Sequence, residues 1–376
     1  MANGGMVRHS VIRVFVIRHY PMLTGSVAND RPTFTGGRAA SFIKRHFLWF
    51  LLGCYVLAFL WPEPGLMMRQ TEWSPGRAPM VPLSLPLLLL ALMLFSAAFH
   101  TDLPQVRSVL QQPVLLCAAL LAVWLGPALL VVAADYLVPL EANGPATTGV
   151  LVGLALVAAM PVANSSVGWV QNADGHLALS LALVVFSVSL SPLVTPALLS
   201  VIGMSLSPQQ QNYCEALVNR FSGWFFIVWV VIPTVLGFAC RYLARAEGIS
   251  RVGQWLTIAS AAALLVLNYI NSALALPSVH NSPAWSLAMT AILAAALSIV
   301  GLTLAWLLAR LFRLPPSSRA ALLFGLSMKH TGLALVLADA VLADEPLAIL
   351  IIVLATFFQH LLAGVVHWLL DRLTST

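Results

Sequence analysis

The sequence predicts an all-α polytopic membrane protein: ten transmembrane helices in two five-helix halves, a 5+5 inverted repeat. Three observations predict it. The first is composition. Of 376 residues, 60% are hydrophobic and 9% charged, against about 25% charged in a soluble globular chain. The mean hydropathy of +0.91 agrees. The second is a series of apolar runs, each near the roughly 20 residues that cross a bilayer as a helix. The third is the crowding of basic residues on one side of the alternating connections. A soluble enzyme, a nucleic-acid binder and a disordered scaffold are all disfavoured. Nineteen basic and thirteen acidic residues leave a net charge of +6. Because the basic residues sit between apolar runs, they report membrane orientation and not a nucleic-acid partner. Cys54, Cys117, Cys214 and Cys240 have no metal-ligand spacing, so no disulfide framework, metal site or cofactor is indicated.

In chain order, residues 1–45 come first, with Arg8, Arg13, Arg18, Arg31, Arg38, Lys44 and Arg45. No apolar stretch there is long enough for a secretory signal. The reading is a flexible basic cytoplasmic tail. The alternative is that MVRHSVIRVFVIRHY lies on an anionic membrane surface. The predicted spans are 46–62, 80–99, 113–134, 148–172, 176–203, 222–243, 252–276, 284–312, 318–342 and 345–371. The first repeat is 46–203, a connecting segment covers 204–221, and the second repeat is 222–371. The longest connection, WPEPGLMMRQTEWSPGRAP, joins the first two spans.

With the N-terminus inside, the inner side also holds Arg107, Arg241, Arg245, Arg251, Arg310, Arg313, Arg319 and Arg372. The outer side holds only Arg69, Arg77 and Arg220. Fifteen against three predicts an integral protein of a bacterial inner (plasma) membrane with both termini cytoplasmic. Five spans per half means that the halves insert in opposite senses, as in many secondary transporters.

The fourth and ninth spans occupy matching places and are both interrupted. The fourth reads MPVANSSVGW from Met160, and the ninth reads GLSMKHTGLAL from Gly325. A helix opens at membrane depth only where protein or a water-filled cavity satisfies its freed backbone. A matched pair of such breaks points to a mid-membrane binding site.

These segments resemble the bile acid:sodium symporter family. MPVANSSVGWVQNADGHLALSLALVVFSVSLSPLVTP is similar to its fourth and fifth helices, and LSMKHTGLALVLADAVLADEPLA to its ninth. ALMLFSAAFHTDLPQVRSVLQQP resembles the second helix and the start of the third. The resemblance covers roughly residues 46–371. It implies a panel domain and a core domain, with broken helices four and nine crossing in the core. It also implies sodium ligands, most of which this chain lacks. Ser166 and Ser180 are kept, but Val167, Val184, Gly325 and Lys329 stand where the resemblance implies Asn, Thr, Glu and Gln. The fold is therefore expected without its sodium coupling.

Lys329 lies ten residues after Arg319 and fifteen before Asp344, near the midplane. A lysine there costs about 2.5–3.5 kcal/mol on insertion scales. Its roles are to replace the sodium charge, to bind an anionic substrate or to carry a proton; the alternative is a structural or snorkelling lysine. His330 titrates near neutrality in water, or is a core histidine. Asn164, Ser165, Ser166 and Thr331 contact substrate or repair the breaks. Gln359 and His360, midway along the tenth span, support the core or line a cavity. Gln171, Asn172 and Asp174 are read as interface residues, Asp339 as a partner for a basic group near the outer face, and Asn268 and Asn271 as interhelical bonds. HExxH, GxGxxG, P-loop and CxxC motifs are absent from the sequence. The expected function is a secondary transporter of a small organic anion. A non-transporting membrane sensor or binding protein on the same fold is the alternative, and an intramembrane enzyme the remote one.

Overall fold

In the computed structural model, residues 38–70, 72–73, 83–101, 107, 109–137, 145–221, 226–244, 246–277 and 282–374 are described. The predicted tail up to residue 37 lies outside them, as do Arg77 and Arg245. All described residues belong to one unit, Gly36–Thr376. They are almost wholly helical. In order, the helices are α1 (Arg38–Leu60), α2 (Glu63–Gln70), α3 (Leu85–His100), α4 (Pro113–Leu137), α5 (Pro145–Ala159), α6 (Ser165–Asn172) and α7 (Leu177–Ser205). Then come α8 (Pro208–Phe221), a π-helical turn (Ile227–Val231) leading into α9 (Ile232–Leu243), α10 (Ala246–Ala275), α11 (Ala284–Leu311), α12 (Pro316–Ser327), α13 (Thr331–Val341) and α14 (Pro346–Thr374).

Proline begins α4, α5, α8, α12 and α14, where its missing N–H costs no intrahelical bond and its fixed φ suits the first turn. Two short antiparallel strands, β1 (Glu72–Trp73) and β2 (Leu83–Ser84), pair within the long first connection. The first helix starts at Arg38, eight residues before the apolar run, because a helix continues past its bilayer-matched length when no breaker stops it. The connecting segment 204–221 is largely helical. Ser207 and Gln210 start α8: the Ser207 N–H donates to Gln210 Oε1 at 3.0 Å, half of a capping box.

Among the described residues, five helices are long and apolar enough to span a membrane. A sixth counts if α1 and α2, bent by 95°, form one broken span. The others are shorter for visible reasons. α5 stops before Pro161, and α12 ends at Ser327 where the chain becomes extended. The helices fall into two packing groups. In one, α10 packs on α1, α2 and α3, and α9 packs on α3; in the other, α4–α8 and α11–α14 pack together. The groups meet where α10 touches α13 and α14, α3 touches α13, and α1 touches α14.

The buried apolar side chains form two main clusters. One holds Met160 and Leu333; the other holds Val162, Ala163 and Met328. The boundary between them is the pair of helix breaks, so the polar groups of the breaks lie as a layer between two dry cores.

Candidate functional site

The α5 break follows from Pro161, which has no N–H to continue the helix and disfavours the α conformation at Met160. The α12 break contains no proline. It is imposed by pairing with the first: Val162 and Lys329 form an antiparallel bridge. Ala163 N–H donates to the Met328 carbonyl and His330 N–H to the Pro161 carbonyl, each at 2.9 Å. Gly301 of α11 lets the second break form beside it, since a Cβ there would lie 2.3 Å from the Leu326 carbonyl oxygen.

Further backbone groups of the breaks are satisfied by side chains. Val162 N–H donates to Ser187 Oγ at 3.0 Å, and Lys329 N–H to Gln359 Oε1 at 3.0 Å. The Ala159 carbonyl accepts from Thr195 Oγ1 at 2.8 Å. The Ala158 and Met160 carbonyls each accept from Lys329 Nζ at 3.1 Å. A third acceptor for Nζ is the carbonyl of Val123 on α4. That carbonyl is free because the residue four positions on is Pro127, inside the helix. Three acceptors match the three N–H bonds of an ammonium group, and they include the negative, C-terminal end of α5. Lys329 is almost wholly buried, at 3% exposure. Its ammonium points into α4 and α5.

Next to it, His330 caps α13: Nδ1 accepts the Leu333 N–H at 3.1 Å. The ring is therefore neutral, with its proton on Nε2. The Asn164 Nδ2 lies 3.5 Å from Nε2; because Nε2 carries the ring proton, a hydrogen bond there requires the amide turned over so that Oδ1 accepts. Asn164 is the N-cap residue of α6, yet its side chain makes no capping bond. Asn164 and Ser165 are partly exposed, while Ser166 is buried. The first turn of α6 thus has no side-chain cap, and its Ser166 and Val167 N–H groups turn back to the Ala163 and Asn164 carbonyls at 3.1 and 3.2 Å.

Gln359 braces the second break: besides accepting from Lys329 N–H, its Nε2 donates to Thr331 Oγ1 at 3.4 Å. His360 donates from Nδ1 to the Thr356 carbonyl at 2.8 Å. Its buried Nε2 has no partner among the described residues, and its ring lies 4.9 Å from that of Phe47 on α1. Ser166 Oγ and Ser180 Oγ are buried without hydrogen-bond partners among the described residues. So Asn164 lies against His330, and Gln359 joins Lys329 to Thr331. Ser165, Ser166, Ser180 and His360 make no side-chain bond to these residues.

Sequence reasoning missed Pro127, Ser187 and Thr195. A proline in the middle of an apolar run was the available signal for the first, because it orphans the carbonyl four residues back. Asp339 pairs with Arg69 of α2 at the far end of α13. Asn268 bonds between helices through Tyr55 Oη at 3.4 Å. Asn271 instead donates within its own helix to the Leu267 carbonyl at 2.8 Å.

Similarity to known proteins agrees with this architecture. A protein of Bacillus subtilis (strain 168) named uncharacterized protein YbaS is 25% identical over 223 residues, covering 59% of this chain and 69% of the relative. Residues 87–282, more than half of the chain, match the sodium bile acid symporter family, a family of transporters and not of enzymes. The chain belongs to the sodium bile acid symporter family and is an integral membrane protein.

Proposed function

We propose that this protein is a secondary transporter of a small organic anion that works by alternating access without sodium coupling. The observation that carries the reading is the start of α6, which opens without a side-chain cap at the paired breaks with the partly exposed Asn164 and Ser165 beside it. The Ser166 and Val167 N–H groups bond back to the Ala163 and Asn164 carbonyls, so the positive end of the helix dipole and these polar side chains, and not free N–H groups, favour an anionic group. Substrate contact falls to Asn164, Ser165 and Ser166, with His330 orienting Asn164, and Thr331 and Gln359 holding the second break. Lys329 acts as an internal cation and not as a direct anion ligand.

In this reading ten spans are counted by joining α5 to α6, α12 to α13 and the π turn to α9. Helices four and nine cross at the breaks. The group α1, α3, α9 and α10 is the panel, and the remaining spans form the core that rocks against it. Both termini are cytoplasmic.

The donor set supports sodium independence. Val167, Val184, Gly325 and Lys329 offer no side-chain oxygen. The sequence has no Asp or Glu between Asp174 and Glu215 or between Glu247 and Asp339. At Gly325 a Cβ would lie 2.8 Å from Leu183 Cδ1, so an apolar side chain occupies the space a carboxylate would need. A hard cation requires several oxygen ligands, and these residues do not fit one.

The test is uptake of a panel of carboxylates and sulfonates into proteoliposomes, in sodium and in choline at equal ionic strength. Substrate-dependent flux that is equal in both media is expected. Binding without flux would favour a sensor, and steep sodium dependence would overturn the ion reading. Asn164→Ala is expected to weaken apparent affinity for the transported anion about tenfold, the loss of roughly 1.4 kcal/mol.

A further inference from the structure

We propose that the carbonyls of Val123, Ala158 and Met160 form a built binding site for a primary ammonium group, filled by the chain's own Lys329, and that Pro127 is the positioning residue that creates it. This deepens the reading of Lys329 as an internal cation and rests on it. The three carbonyls are orphaned by independent causes. The Val123 carbonyl loses its intrahelical donor because Pro127 has no N–H. The Ala158 carbonyl loses its donor because Val162 N–H turns away to Ser187 Oγ at 3.0 Å. The Met160 carbonyl lies past the last turn of α5, directly before Pro161. Between the last two, the Ala159 carbonyl is taken by Thr195 Oγ1 at 2.8 Å, and the next carbonyl, of Pro161, by His330 N–H at 2.9 Å. Only the acceptors facing the ammonium are left for it.

The number of acceptors selects the ligand class. Nζ lies 3.1 Å from the Ala158 and Met160 oxygens, at hydrogen-bond distance, with the Val123 carbonyl as its third acceptor. A hard cation such as calcium takes about six to eight oxygen ligands, so three carbonyls are too few for one. A neutral amine has too few N–H bonds for all three oxygens, and a quaternary ammonium has none. The site therefore takes R–NH3+. Because the ligand is covalently attached, the breaks stay in their cation-loaded arrangement at any external ion concentration.

Lys329→Ala removes the atoms of n-propylammonium. The experiment is thermal unfolding of the purified full chain and its Lys329→Ala variant in detergent, titrated with n-propylammonium chloride, 1-propanol or tetramethylammonium chloride. The variant is expected to melt several degrees lower. Propylammonium is expected to restore it saturably, with no effect on the wild type and none from either control. No restoration, or equal restoration by propanol, overturns the proposal. A second measurement holds if Lys329→Ala does not fold. Proline to alanine inside a helix ordinarily stabilises it, but here the new N–H at position 127 would compete with the ammonium for Val123. Pro127→Ala is therefore expected to raise the melting temperature more in a Lys329→Met background than in the wild type. Equal shifts in the two backgrounds would remove Pro127 from the role. Neither measurement involves flux or sodium, so a failed transport assay and a failed ammonium site are separate results.

Discussion

A single glutamine illustrates how much of the site depends on individual side chains. Gln359 is 3% exposed, accepts the Lys329 N–H and donates to Thr331 Oγ1. Gln359→Leu keeps the volume but leaves the buried Lys329 N–H unsatisfied. It should cost about 1–3 kcal/mol, read as a lower melting temperature in detergent. Ser187→Ala should behave alike, since it strips the acceptor from the Val162 N–H. A restored carboxylate is a different case. Gly325→Glu should displace Leu183 and still fail to confer sodium-dependent stabilisation, because the Lys329 ammonium remains in place. Stabilisation of that variant by sodium over choline would contradict the assignment of the charge to Lys329.

At the scale of elements, α2 ties the two packing groups together. Tyr269 of α10 donates to the Trp61 carbonyl at 2.7 Å, at the bend between α1 and α2. Gly65 of α2 sits so close to α10 that a Cβ would lie 2.6 Å from the Ala273 Cβ. From this anchored helix Arg69 reaches Asp339 on α13; their side chains are 24% and 19% exposed. A pair at this depth lies between the surface and buried extremes. Arg69→Gln, which leaves the carboxylate unpaired, should cost about 2 kcal/mol, and adding Asp339→Asn should recover most of it. The check is thermal unfolding of the two single variants and the double. If the double is no more stable than Arg69→Gln, the pair is not coupled.

For the molecule as a whole, the distribution of basic residues is the main constraint on orientation. A topology reporter fused after Thr376 should be active only as a cytoplasmic fusion, and activity on the outer side would overturn the ten-span count. The cation–π contacts of Arg310 with Trp306 and Arg372 with Trp368, at 4.2 and 4.0 Å, lie at the ends of α11 and α14 assigned to the inner side. Such pairs suit a headgroup region, where an amphipathic ring and a cation each keep a favourable environment.

The sequence by itself determined the membrane class, the helical content and the α5 break at Pro161. Each depends on composition or on local stereochemistry. Capping by Gln210 was equally local and was there to be read in Ser-Pro-Gln-Gln. Tertiary structure decided the rest. No residue in Leu-Ser-Met-Lys-His forbids a helix; that break exists because Met328 and His330 bond to the backbone on either side of Val162. The direction of the Lys329 ammonium was likewise not legible, since its acceptors lie 206, 171 and 169 residues away in the chain. Local rules say where a backbone group loses its partner, and only the packing of helices distant in sequence says which side chain replaces it.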